Sequence, residues 1–300
     1  METKIHKISN SGYFQILMLL LKTAMAKGSW LLHLITFLTI SMLFGGSLVQ
    51  LTLLNRIDVN VPHMKIDGEE AILRQGSIKT EVVSWSPRVF VFHNFLSEEE
   101  CDYLRTIAGP RLVNSSVVNI KTGKPMLSPH RTSTGMFFRK KEWEHPIVER
   151  IETRIAAFSH VPKENGEPMQ VLRYKEKQYY REHFDYFSNH LNLEKRGGQR
   201  IATMLMYLSD NVEGGETYFP AAGNGKCSCA GMTVDGVSVK PIKGDAVLFW
   251  SMTLNGSVDR TSFHAGCEVL SGEKWSATKW MRQNTFVSSN SSINHQNRNE

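Results

Sequence analysis

Two histidines, one aspartate and a lysine carry the chemistry this chain can do: His183-Phe184-Asp185, then His264, then Lys274. Two imidazoles and a carboxylate can occupy one face of an octahedral Fe(II) ion and leave the remaining positions open for reaction. A lysine shortly after the last histidine can hold the far end of a dicarboxylate. The set reads as a non-haem iron centre that uses 2-oxoglutarate as co-substrate.

A lone His-x-Asp pair is weak evidence, because a strand histidine hydrogen-bonded to a neighbouring carboxylate has the same spacing. Context sharpens it. Residues i and i+2 of a strand point to one face, so His183 and Asp185 can both face a barrel interior. His264 sits in Ser262-Phe263-His264-Ala265-Gly266, where small neighbours leave room beside a metal. A strand lysine usually faces water. Lys274, however, lies in Gly272-Glu273-Lys274-Trp275-Ser276-Ala277-Thr278-Lys279-Trp280 among aromatic residues, and a buried ammonium needs an anionic partner. Lys279 is its rival. Their odd spacing places the two on opposite faces, so only one can point inward. His130, His145, His160 and His190 have no partner at ligand spacing and read as surface or capping residues.

These groups need a scaffold. Pro87-Arg88-Val89-Phe90-Val91-Phe92 reads as a strand near the start of the folded region. Ser97 with Glu100 fits a capping box, opening a helix through about Ala108 that stops at Gly109-Pro110. Ile147, Ile151, Ile155 and Ala156 set a helical period over Glu142 to Phe158. From Gln170 the texture changes to short strands: Gln170 to Tyr174, His183 to Tyr186, Ala202 to Leu208, Glu216 to Phe219, Val237 to Val239, Ala246 to Trp250, and part of Ser276 to Phe286. Gly214-Gly215, Gly223-Asn224-Gly225, Lys243-Gly244-Asp245 and Ser271-Gly272 mark turns. Helices followed by many short strands give an α+β expectation: a double-stranded β-helix, or jelly roll, with supporting helices.

The N-terminus is of another kind. No Asp, Glu, Lys or Arg occurs from Gly28 to Asn55, and about 20 apolar residues span a bilayer. The expected organisation is a cytosolic tail (1–28), a transmembrane signal anchor (29–54), a stem (55–80), a catalytic domain (81–286) and a disordered tail (287–300). Basic residues flank the span with only a slight bias, Lys4, Lys7, Lys22 and Lys27 before it and Arg56, Lys65 and Arg74 after it. Sequons at Asn114, Asn255 and Asn290 favour a luminal C-terminus and glycosylation. All four cysteines (Cys101, Cys227, Cys229 and Cys267) follow the span, and an even count fits two luminal disulfides. The Cys227-Ser228-Cys229 spacing is too close for the usual zinc knuckle. A formal charge of +6 with a pI near 9.1 comes without any Lys/Arg tract, so a nucleic-acid partner is not expected.

From about Val89 to Trp280 the chain resembles the catalytic domain of prolyl 4-hydroxylases of the plant and algal membrane-anchored type. The matching stretches are Arg131-Thr132-Ser133-Thr134-Gly135, Tyr174, His183-Phe184-Asp185-Tyr186, Thr203-Met204-Leu205-Met206-Tyr207-Leu208, Gly214-Gly215-Glu216-Thr217, Gly244-Asp245-Ala246-Val247-Leu248-Phe249-Trp250, His264-Ala265-Gly266-Cys267 and Lys274 through Trp280. The resemblance implies Fe(II) on His183, Asp185 and His264. It implies 2-oxoglutarate on Lys274, with hydrogen bonds from Tyr174 and Thr217, and L-ascorbate to rescue oxidised iron. It places Arg131 and Ser133 in a mobile loop that closes over the peptide, and Tyr180 and Trp280 along the peptidyl-proline groove. Two positions depart from the family pattern: Glu268 stands where Pro is frequent, and Arg282 where His is frequent. The implied activity is 4-hydroxylation of proline in secretory proline-rich proteins, extensin-like or arabinogalactan-like, in the endoplasmic reticulum or Golgi membrane. The oligomeric state is left open. The alternatives are a related oxygenase acting on lysine or a nucleic-acid base, and an anchored binding module that keeps the fold without the chemistry.

Overall fold

The computed structural model describes residues 74, 76–118, 125–188 and 193–287, all within one compact unit spanning 67–300. The expected anchor at 29–54, His190 and the Asn290 sequon lie outside the described residues. Among the described residues no helix is long and apolar enough to cross a membrane.

The domain begins with a hairpin, β1 (Lys79–Trp85) and β2 (Arg88–His93), followed by helix α1 (Glu98–Ala108). Four short strands come next, β3 (Val113–Asn114), β4 (Val117–Val118), β5 (Pro125–Met126) and β6 (Thr134–Phe137). Helices α2 (Lys140–Trp143) and α3 (Pro146–Ser159) complete the first half. The second half is β7 (Gln170–Tyr174), β8 (Tyr180–His183), β9 (Arg200–Tyr207), β10 (Glu213–Gly214), β11 (Thr217–Phe219), β12 (Lys226–Cys229), β13 (Met232–Asp235), β14 (Val237–Val239), β15 (Ala246–Trp250), β16 (His264–Gly266), β17 (Val269–Ser271) and β18 (Lys274–Arg282). An eight-stranded antiparallel sheet has the order β1-β2-β15-β9-β18-β7-β6-β3, and a four-stranded one the order β14-β11-β16-β8.

Period-two alternation makes the large sheet two-sided. Ala202, Met204 and Met206 of β9, Ala246 and Leu248 of β15, and Trp275, Ala277 and Met281 of β18 pack against Leu104 of α1 and Ile151 and Ile155 of α3. The residues between them turn the other way. Val89, Val91, Tyr207, Val247 and Phe249 meet Phe219 of the small sheet. Each fully buried side chain of this size contributes about 1.5–3 kcal/mol. The helices therefore cover one face of the large sheet and the small sheet covers the other, which is the layering of a jelly roll with supporting helices.

The capping box is present. Ser97 Oγ accepts from the Glu100 amide at 3.1 Å, and the Glu100 carboxylate accepts from the Ser97 amide at 2.9 Å. The second expected helix is interrupted. Its period was read from Glu142, but Pro146 has no N–H to donate and can only open a helix. The chain breaks after Trp143 and restarts at Pro146, with His145 Nδ1 accepting from the Ile147 amide. The disulfide expectation is corrected too. Cys229 and Cys267 form the single bridge, while Cys101 and Cys227 are free thiols. Cys101 lies in the core of α1, where burial pushes its thiol up to about 12. It had counted toward a pair although it behaves as a small hydrophobe.

Candidate active site

β16 and β8 are neighbours in the small sheet, and their register sets His264 opposite His183. Each Nδ1 meets a carbonyl oxygen, His183 on Arg181 at 2.8 Å and His264 on Ser262 at 2.9 Å. A carbonyl only accepts, so each Nδ1 donates there and Nε2 is the ring nitrogen left to face Asp185. The Asp185 carboxylate stands between them, Oδ1 3.7 Å from His183 Nε2 and Oδ2 3.7 Å from His264 Nε2. The three donor groups lie within 4.8 Å of one another.

Asp185 reaches this place by a different route from the expected one. The strand ends at His183, before the expected His183–Tyr186 run, and Asp185 sits in the bend that follows. Strand alternation therefore does not aim it. Thr203 Oγ1, on the inward face of β9, donates to Oδ2 at 2.6 Å, and Arg200 Nη1 reaches the Asp185 carbonyl at 3.4 Å. Burial alone would raise this carboxyl. The two imidazoles, Arg200 and the Thr203 hydroxyl bring it down to about 2. Burial, aided by His264, lowers the His183 imidazole to about 3. At neutral pH the set is thus one carboxylate and a neutral His183 imidazole beside His264, a donor set that fits Fe(II).

Lys274, on β18 opposite Tyr174 of β7, lines the same cleft. It is 3% exposed. Its Nζ lies 5.4 Å from the Tyr174 ring and 5.6 Å from the Tyr207 ring, and it makes no hydrogen bond to a described residue. Burial lowers the ammonium to about 8, opposed by the Glu216 carboxylate. Its stem passes Gly215, where a Cβ would come within 3.2 Å of Lys274 Cδ and where φ is +66°. Thr217 Oγ1 shares a hydrogen bond of 2.8 Å with the Tyr207 hydroxyl, so Thr217, Tyr174 and Lys274 converge on one end of the cleft. An ammonium stripped of water and left without a carboxylate contact is what a dicarboxylate co-substrate can satisfy.

Lys279 does point away from Lys274, as their odd spacing requires. It is nevertheless also buried, with Nζ 2.8 Å from Glu152 Oε1 on α3. The large sheet is covered on both sides, so "opposite face" here means helix rather than water. His145 and His160 are helix caps, and His130 is exposed.

Of the expected peptide-groove residues, Arg131, Tyr180 and Trp280 line the cleft with His183, Asp185 and His264. Ser133 does not. It is buried, with Oγ 3.0 Å from Ser115 Oγ. Trp280 lies beneath the Arg200 guanidinium at 4.0 Å. Glu167 fixes that guanidinium with two hydrogen bonds of 2.7 and 2.8 Å, and also accepts from Arg282 Nε at 2.8 Å. Arg282 is thus engaged behind the cleft, and neither it nor Glu268 lines the cleft. Thr203, Tyr207, Arg200 and Glu167 were not singled out from the sequence. For Thr203 and Tyr207 the available signal was their position on the inward parity of β9.

The profile of the 2OG-Fe(II) oxygenase superfamily matches residues 169–282, which include every residue of the His-Asp-His set and Lys274. Prolyl 4-hydroxylase 1 of Arabidopsis thaliana is 56% identical over 271 residues, covering 83% of this chain and 95% of that protein. Probable prolyl 4-hydroxylase 3 of the same plant is 50% identical over 224 residues, covering 72% and 76%. Among solved structures, a viral collagen prolyl hydroxylase from Paramecium Bursaria Chlorella virus-1, in complex with 2OG, matches at 29% identity with a TM-score of 0.47. It covers 64% of this chain and 94% of that one.

Proposed function

The chain belongs to the prolyl 4-hydroxylases, 2-oxoglutarate- and Fe(II)-dependent oxygenases, and from that premise we propose that it hydroxylates C4 of peptidyl proline, with His183, Asp185 and His264 holding the iron. The carrying observation is that this donor set and the buried, unpaired ammonium of Lys274 open into one cleft. Iron and co-substrate supply the oxidation when bound, splitting O2 between succinate, formed with release of CO2, and the hydroxylated product.

The chain's own residues place and protect that chemistry. Lys274 binds the far carboxylate of 2-oxoglutarate, with Tyr174 and Thr217 beside it. Thr203 holds the Asp185 carboxylate between the two imidazoles. Arg131, Tyr180 and Trp280 form the wall along which the peptide lies. Ascorbate is typical of the family and serves to keep the iron reduced. The charge-free segment Gly28 to Asn55 and the sequons support a single-pass type II anchor at 29–54, a stem at 55–80 and a luminal catalytic domain at 81–286, in the endoplasmic reticulum or Golgi. Secretory proline-rich chains are the substrates that fit this placement.

The test incubates the protein with Fe(II), 2-oxoglutarate, ascorbate and a poly-proline peptide, followed by mass spectrometry. The expected result is the gain of one oxygen atom per modified proline, dependent on both iron and co-substrate. Succinate release without a mass gain would move the target to another residue. A folded, iron-loaded sample giving neither would remove the assignment.

A further inference from the structure

The segment Ser128–Ser133 is zipped onto β8, the outer strand of the small sheet. Thr132 donates its amide to the Tyr179 carbonyl at 3.1 Å, Tyr179 donates its own to Thr132 Oγ1 at 2.9 Å, and Arg131 pairs with Tyr180 as a single bridge. The main chain of Arg181 then does two things. Its N–H is held by the His130 carbonyl at 2.8 Å, and its carbonyl receives His183 Nδ1, also at 2.8 Å. A second path runs through rings. The Arg131 guanidinium lies 4.7 Å over the Tyr180 ring, and that ring stacks on His183 at 3.6 Å with an interplanar angle of 18°. The guanidinium is pinned in turn by Gln170 Oε1 at 3.1 Å and the Ser116 carbonyl at 3.2 Å.

We propose that Arg131 and Tyr180 are positioning residues for His183, the segment Ser128–Ser133 fixing the plane of this iron ligand through the Arg131–Tyr180–His183 stack and the main chain of Arg181. The inference rests on the reading that His183 holds the iron. Groups that orient a metal-ligating histidine govern its affinity, and losing one weakens binding about 10–100-fold. A flat ring can hold the imidazole plane by stacking without any hydrogen bond, so the aromatic face matters here and the Tyr180 hydroxyl does not. The relay also makes the segment responsive: a peptide that presses it onto β8 tightens the metal site, and by linkage the metal favours the docked segment.

The experiment titrates the full chain with Co(II), reading both affinity and the visible ligand-field spectrum. Tyr180→Leu and Arg131→Met are expected to weaken binding about tenfold and to shift the ligand-field bands, while Tyr180→Phe binds like the parent. Folded Tyr180→Leu and Arg131→Met proteins with unchanged affinity and spectrum would overturn the relay, as would a Tyr180→Phe protein as weak as Tyr180→Leu. His183→Ala is the control for the underlying reading. If it binds Co(II) as tightly as the parent, the metal assignment itself fails; if it loses the metal while the Tyr180 and Arg131 variants do not, only the relay fails.

Discussion

Lys274 is a cation held where water cannot reach it, and its charge is conditional. Burial brings the ammonium to about 8, so it is protonated below that pH and increasingly neutral above it. A dianionic co-substrate favours the charged form, so binding draws a proton from solution at high pH. The apparent KM for 2-oxoglutarate should therefore be flat below about pH 8 and climb above it, and Lys274→Met should raise it about tenfold or more at neutral pH, the loss of a charge-assisted contact of about 1.5–3 kcal/mol. Initial rates against co-substrate at several pH values decide this. An unchanged KM in Lys274→Met would pass the role to another group. Thr203 is the second residue to test. Its hydroxyl is 2.6 Å from Asp185 Oδ2, so Thr203→Val should keep the fold and weaken Co(II) binding by about tenfold, measured by titration. His183, His264 and Lys274 were legible in the sequence because type and spacing alone restrict what they can do. Asp185 does come to lie with the two histidines, but not by the alternation expected of it: that pattern does not reach past the end of β8, and a neighbouring threonine aims the carboxylate. Thr203 was not legible, because a threonine in an apolar strand declares no partner until the sheet is assembled.

Strands β7, β14 and β15 begin and end where alternation and turn residues place them, and the α1 capping box is visible as Ser97 with Glu100. These features are local, written within a few residues. What failed to be legible is non-local. Pro146 outweighs the helical period around it, and which cysteines approach each other depends on how the sheets bring Cys229 of β12 to Cys267, just past the end of β16. Strand β18 shows both kinds of information at once. Its alternation separates Lys274 from Lys279, yet only the packed structure shows that Lys279 is buried against Glu152 of α3, at 4% and 7% exposure. Removing one partner of such a pair strands the other charge, whereas replacing both with apolar groups is close to neutral. Lys279→Met should thus cost about 3–5 kcal/mol of stability and leave the KM for 2-oxoglutarate unchanged. Lys279→Met with Glu152→Leu should recover most of the loss. Denaturant unfolding of the three variants tests this, and a raised KM in Lys279→Met would return it to candidacy for the co-substrate.

At the scale of the whole chain, the helix-covered sheet, the small sheet and the cleft between them form the chemical unit, and the luminal orientation proposed for it rests on the anchor segment and the sequons. The two described sequons differ in what surrounds them. Asn114 is on β3, the edge of the large sheet, next to Ser115, which is buried and bonded to Ser133. Ser116 follows and holds Arg131 through its carbonyl. A glycan there would stand beside the Ser128–Ser133 segment that pairs with β8. Asn255 is exposed in the turn between Thr253 and Ser257, and its Oδ1 accepts from the Ser257 amide at 3.1 Å and the Ser257 hydroxyl at 2.8 Å. These contacts stay within the turn, and no residue of it lines the cleft. Translated into microsomes, the full chain should therefore show an endoglycosidase-sensitive mass increment that Asn255→Gln removes, with hydroxylation of a poly-proline peptide unchanged and the folded domain protected from added protease. An Asn255→Gln chain that keeps the whole increment would move the glycan to another sequon. A chain with no increment whose folded domain is digested in sealed microsomes would put that domain on the cytosolic side and overturn the type II orientation.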